Sequence, residues 1–205
     1  SYLTFVATGL MAAQSMQSGA GQGMWEVMAG VKWRKNYHGA ITTPVSPTDI
    51  IWGRIIWSTI RLTLIVGVFA IISVLFGALE VRPALLAIPP AVFTGIAFSA
   101  VLTSWTVTVD AEESMANVFR FVIIPMFLFS GTFFPITQLP GYLQPVAYAT
   151  PLFHGVEAVR KIALPDAGAG VVTSMPLWIH IAYLVVMIAV GIVVGSRTLD
   201  RRLRP

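Results

Sequence analysis

His154, Glu157 and Arg160 recur at intervals of three, so any helix that carries them presents them on one face. An imidazole, a carboxylate and a guanidinium so placed suit two roles. They form a polar contact for a solute at an external membrane surface, or they pair with one another to steady a short helix. Two candidate ligands do not make a metal site, and the other histidines, His38 and His180, fall in different regions. Asp110, Glu112 and Glu113 stand beside Asn117 and Arg120. They read as proton-coupling carboxylates of a carrier or, more simply, as a solvated turn. Catalysis needs a nucleophile with a base, paired carboxylates or a metal cluster, and no such set is legible. Cysteine is absent, which removes disulfides and thiolate chemistry. No GxxxxGK[ST] loop occurs, so this chain by itself is not expected to hydrolyse ATP. It is read as a non-enzyme with no catalytic, cofactor-binding or metal-ligating residue.

A second concentration of chemistry is basic and aromatic. Lys32, Arg34, Lys35 and His38 cluster with Trp33 and Tyr37, and Thr42 to Asp49 follows with Pro44 and Pro47. Trp25, Met28, Val31 and Lys32 share a helical face. The prolines stop that helix, and Ser46 or Thr48 is placed to cap the next one. The segment suits a helix lying on anionic lipid or a docking element for a cytoplasmic partner. Arg61 lies two turns inside an apolar block. Its long stem reaches the interface, or it holds an anionic lipid or an internal carboxylate.

The elements that position these groups are membrane spans. Of 205 residues, 56% are hydrophobic and 11% charged, with a mean hydropathy of +0.79. A soluble domain carries about 25% charged residues. The apolar residues come in blocks near the ~20 that a helix needs to cross a bilayer. Five spans are predicted, at 2–18, 54–78, 84–109, 118–134 and 176–195. The run Ser18 to Gly23 permits a break after the first, and Pro89-Pro90 is expected to kink the third or leave its first turn irregular. Residues 135–174, with five prolines, are predicted to form two short helices dipping into the interface rather than a span. Gly191 and Gly195 make a small-xxx-small pair. The whole chain, 1–205, is one membrane domain, with a cytoplasmic loop at 24–53 and an external region at 135–174.

Five alternating spans place nine basic residues on one side (24–54, 110–120 and the tail) and three on the other, with Arg61 inside a span. The richer side, including the C-terminus, is cytoplasmic by the positive-inside rule. The net charge of +4 therefore reads as a topology signal, and no nucleic-acid partner is expected. The chain opens at Ser1 within an apolar stretch, which suggests an upstream part with another span. A transporter or channel working without ATP stays open on these residues alone.

The stretch from Tyr37 to Gly53 resembles the cytoplasmic loop of type-2 ABC transporter permeases. Phe129-Ser130-Gly131-Thr132-Phe133-Phe134-Pro135 through Pro140, with Tyr148-Ala149-Thr150-Pro151-Leu152-Phe153-His154-Gly155-Val156-Glu157-Ala158-Val159-Arg160, resembles that family's external region. The likeness is to the branch of nodulation-factor and daunorubicin-type drug exporter permeases. The resemblance implies an all-α fold with six spans in the full protein, in the bacterial inner membrane. It implies a second permease chain and cytoplasmic ABC ATPase subunits, which would hold the ATP and magnesium. A coupling helix, here within Val31–Thr43, would dock the ATPase through Lys32, Trp33, Arg34, Lys35, Tyr37, His38 and Ile41. Phe133, Phe134, Pro135, His154, Glu157 and Arg160 would belong to the re-entrant external gate. The implied cargo is amphipathic: a drug, a lipid-like molecule or an oligosaccharide.

Overall fold

The computed structural model describes residues 2–34, 36–40, 42–164 and 172–203, and no strand forms among them. The first rod begins as α1 (Tyr2–Gly21) and continues through two wider π-helical stretches, Gln22–Glu26 and Ala29–Trp33. A bend at Arg34 leads to the short α2 (Asn36–Ala40). The long α3 (Pro47–Leu75) and α4 (Val81–Thr106) follow. A second composite rod joins α5 (Glu112–Val118), a π turn at Phe119–Ile123 and α6 (Ile124–Phe129). After it come α7 (Gln144–Ala149), α8 (Pro151–Ala163) and α9 (Leu177–Leu203).

Local chemistry explains the ends. Ser46 accepts a hydrogen bond from the Asp49 N–H while the Asp49 carboxylate accepts from the Ser46 N–H. This capping box, with Pro47 in the first turn, starts α3 where the sequence placed a cap. At the other end Gly77 takes φ +67°, Ala78 N–H donates to Ser73 O at 2.9 Å and Gly77 N–H to Val74 O at 2.9 Å. That is a Schellman closure, which a glycine permits without a Cβ penalty. Pro125 lacks an N–H for its i−4 carbonyl, and the wide turn at Phe119–Ile123 directly precedes it. Pro89 and Pro90 lie within α4, whose helix continues through them.

By length and composition three helices among the described residues can cross a membrane: Pro47–Leu75, Val81–Thr106 and Leu177–Arg202. They differ in surroundings. In α4, 61% of the most apolar stretch is buried, against 22% in α3 and 17% in α9. The central post is α4, packed by the first rod, α3, α8 and α9. Ala84, Ala87, Ala91, Thr94, Ala97, Ser99 and Ala100 are buried along it, so neighbouring backbones come close. Ser58 and Ser99 hydroxyls meet across α3 and α4 at 3.1 Å. Ile56, Ile60, Leu64 and Val68 of α3 and Val185, Val186 and Val190 of α9 point away from the protein interior.

The expected break at Ser18 to Gly23 does not occur, and the reason is packing. A Cβ on Gly19 would collide with the Gly95 carbonyl, and one on Gly23 would sit 2.7 Å from Ser99 O. These glycines serve close contact with α4, and the helix runs through them to Trp33. Glu26 thereby falls within the rod. Of the face predicted from Trp25, Met28, Val31 and Lys32, Met28 and Val31 are buried while Trp25 and Lys32 are exposed. Gly191 likewise fits over Ala100, where a Cβ would stand 2.6 Å from the carbonyl carbon. The basic tail is not a separate segment, because Arg197, Arg201 and Arg202 continue α9.

Gly19→Val should therefore lower stability by about 1–3 kcal/mol through overpacking. Gly21→Ala, where an added Cβ meets nothing within 4 Å, should raise it by ~0.5–1 kcal/mol through helix propensity. Thermal unfolding of the two variants in detergent checks this; equal shifts would dismiss the glycine seam.

Candidate functional site: the two ends of the helix bundle

One end gathers the first rod, the 107–112 turn and α9. Lys32 Nζ donates to Asp110 O at 2.9 Å, Trp33 Nε1 to Glu112 Oε1 at 2.7 Å, and Arg202 Nη2 to Asp110 Oδ1 at 2.6 Å. Arg202 Nη1 also donates to the Val107 and Val109 carbonyls. Asp110 is 88% exposed at its side chain and Glu112 49%, so these carboxylates cap an exposed end. Folded against this end is α2. Its Tyr37 ring lies over Gly30, where a Cβ would come 2.6 Å from the ring. Tyr37 is half-buried against a cluster of Val27 and Val31 from the first rod, Ile51 and Ile55 of α3, Ala100 of α4, Val107 just after α4, and Leu199 of α9. Burial holds its phenol above the usual pKa, so it stays neutral. Lys32, Trp33 and Arg34 are exposed. Lys35, Ile41 and the His38 side chain lie outside the described residues.

The opposite end is built round Arg160, 2% exposed. Its Nη2 donates to Phe5 O at 3.2 Å and Thr132 O at 3.3 Å, and its guanidinium carbon sits 3.7 Å from the Phe5 ring centroid. Burial lowers its pKa to about 10, which leaves it charged at neutral pH. Space for it comes from Gly9, whose Cβ would lie 3.0 Å from Arg160 Nη2. Glu157 accepts from the Thr173 N–H at 2.8 Å and hydroxyl at 2.7 Å, and Lys161 donates to Thr173 O. His154 Nδ1 meets His180 Nδ1 at 3.0 Å, and its ring stacks on Tyr183 with centroids 4.1 Å apart. Burial pushes His154 down to about 4, so that imidazole is neutral. The three residues share a face of α8, where the Glu157 charge acts on both of the others, but each takes its hydrogen-bond partners from outside α8. Phe133 packs edge-on against Phe127 and its carbonyl accepts from Tyr2 Oη. Phe134 joins the cluster of Ile136, Leu139, Ala147 and Phe153, and Pro135 precedes the 3₁₀ turn Ile136–Gln138.

A helical bundle with long apolar outer faces suits a bilayer, with its polar groups at the two ends. Residues 3–164 match the family model described as ABC-2 type transporter. The chain belongs to the ABC-2 type transporter family. It is a type-2 ABC transporter permease, a multi-pass transmembrane subunit. It is 27% identical to "Nodulation protein J" of Rhizobium meliloti (strain 1021) over 205 residues, covering 100% of this chain and 76% of the relative. It is 25% identical to "Nodulation protein J" of Sinorhizobium fredii over 202 residues, 98% and 75% of the two chains. Similarity extends to "Inner membrane transport permease YadH" of Escherichia coli (strain K12), 24% identical over 161 residues, 78% of this chain and 62% of that one.

In this permease, the residues singled out from sequence divide between the two ends. Lys32, Trp33, Arg34 and Tyr37 are at one end, and Phe133, Phe134, Pro135, His154, Glu157 and Arg160 at the other. The partners Phe5, Thr132, Thr173, His180 and Tyr183 were not legible, since the Arg160–Phe5 contact crosses 155 residues of chain. Arg61 pairs with the Glu26 carboxylate, one of the alternatives open for it, and Arg54 pairs with the same group at 2.8 Å. Arg160→Met should destabilise the permease by about 1–3 kcal/mol, because two buried carbonyls lose a charged donor. Arg160→Lys, which keeps the charge, should cost less. Thermal unfolding in detergent measures both, and a neutral Arg160→Met would refute the bracing role.

Proposed function

We propose that this permease is the membrane subunit of an ATP-driven exporter in the bacterial inner membrane, moving an amphipathic, lipid-like, drug or oligosaccharide cargo. Cytoplasmic ABC ATPase subunits bind the ATP and magnesium and hydrolyse the nucleotide, and a second permease chain completes the path. The names of the relatives, a nodulation protein and an inner-membrane transport permease, support this reading by family alone.

The observation that carries the mechanism is the seat of α2. α2 packs on the end of the first rod, and its Tyr37 lies against a cluster that also holds residues of α3, α4 and α9, so a push on α2 enters the bundle through the first rod and that cluster. Interiors are close-packed and transmit displacement rather than absorbing it. An ATPase that binds this end differently in its nucleotide-bound and free states would bias the bundle between two arrangements. In this reading the end with Lys32, Trp33, Arg34 and Arg202 is cytoplasmic. Val31–Thr43 is the coupling segment, with Lys35, His38 and Ile41 contributing. Five spans alternate from there: the first rod, α3, α4, α5–α6 and α9. The region 135–174 then lies externally, where α7 and α8 form the re-entrant gate, with Phe133, Phe134 and Pro135 at its rim and His154, Glu157 and Arg160 anchoring α8.

Tyr37→Asp combined with Ile41→Asp should cut co-purification of the ATPase by about tenfold or more, equivalent to ~1.4 kcal/mol, with membrane insertion unchanged. Full ATPase retention and transport in that variant would sink the docking assignment.

A further inference from the structure

Arg54 and Arg61 are two turns apart on α3 and share a face. Both converge on one carboxylate. Arg54 Nη1 donates to Glu26 Oε2 at 2.8 Å, and Arg61 Nη1 to Glu26 Oε1. Arg54 also donates through Nη2 to Gln22 O at 2.7 Å and is largely covered, its side chain 14% exposed. Two guanidiniums against one carboxylate leave an excess positive charge. Arg61 carries it outward: its side chain is 47% exposed, and only Nη1 of its donor nitrogens has a partner among the described residues.

The position is otherwise apolar. Trp57 lies between the two arginines at helical spacing and is 54% exposed. Beyond Arg61 the same side of α3 continues as Leu64, Val68, Ile71 and Leu75, all exposed. A helical side chain leans toward the N-terminus, so Arg61 reaches back toward the end holding Lys32 and Arg202. A cation on an outward-facing helix in hydrocarbon is costly unless paired, and Glu26 is already shared.

We infer that the Arg54–Glu26–Arg61 cluster binds the anionic headgroup of an acidic phospholipid, whose acyl chain lies along Leu64, Val68 and Ile71. The guanidinium fork matches phosphate oxygens. Trp57 suits the boundary between headgroup and chain, where amphipathic rings settle. Inorganic phosphate would satisfy the cation, but the apolar face that continues from Arg61 favours a headgroup carrying acyl chains. The inference rests on α3 lying in a bilayer and not on coupling to an ATPase, so it stands or falls separately.

The test is native mass spectrometry of the full-length permease released from nanodiscs containing equal amounts of phosphatidylglycerol and phosphatidylcholine. Phosphatidylglycerol should be retained about fivefold over phosphatidylcholine, as one surface cation supplies. Arg61→Gln should abolish that preference. Glu26→Gln, which frees both guanidiniums, should increase it, and this gain of binding distinguishes a site from a folding defect. Absence of preference, or no response to either variant, would overturn the inference. So would displacement of the lipid by millimolar inorganic phosphate, which would mark a free-phosphate site. A loss of the paired permease in Arg61→Gln with lipid retention unchanged would overturn it too, assigning the face to a second copy.

Discussion

Close approach of helix backbones along α4 is the constraint from which the rest of the bundle follows. In a bilayer there is little hydrophobic drive to bring one helix against another, and association depends on dispersion contacts and interhelical hydrogen bonds. Both weaken steeply with distance. The alanines, serines and threonines of α4, with Gly95, let its neighbours settle backbone to backbone. The first rod enters at Gly19 and Gly23, and α9 at Gly191 over Ala100. Larger side chains then fill what remains, with Met11, Met16, Met24 and Met28 of the first rod fully buried. Flexible thioethers suit such irregular gaps.

Once that post is set, the polar groups sort themselves to the ends. At one end Lys32 and Trp33 of the first rod and Arg202 of α9 hold Asp110 and Glu112, between α4 and the second rod. At the other, Arg160 links α8 to α1 and to the segment following α6. The contrast between these ends is instructive. The first is exposed, and its ion pairs are individually weak. The second is buried, so its charge must be met by carbonyls and a ring face, which makes it a brace rather than a loose contact.

The wide helical turns fit the same picture. Two lie in the first rod on either side of Val27 and Met28, and one precedes Pro125. Such turns rotate the face that a helix presents without ending it. They explain why Trp25 and Met28, placed on one face by simple periodicity, part company in the folded protein, one 40% exposed and the other 1%.

By itself the sequence determined the membrane character, the helical class and the partition of charge between two ends. Each depends on composition and order along the chain, which need no knowledge of neighbours. It also narrowed the cap to Ser46 or Thr48 and singled out Gly191, which packs closely on α4, because caps and close contacts use few residue types. What only the tertiary structure decided was pairing. Ser18 to Gly23 reads as a break from its own residues, and only the backbone of α4 beside it turns those glycines into a seam. His154, Glu157 and Arg160 read as a triplet, yet each takes its hydrogen-bond partners from outside α8. Arg61 joined Glu26 because the first rod continues far enough to bring that carboxylate alongside. Local spacing fixes which side chains share a face; which group meets that face is settled by helix packing, and its partners lie many residues away.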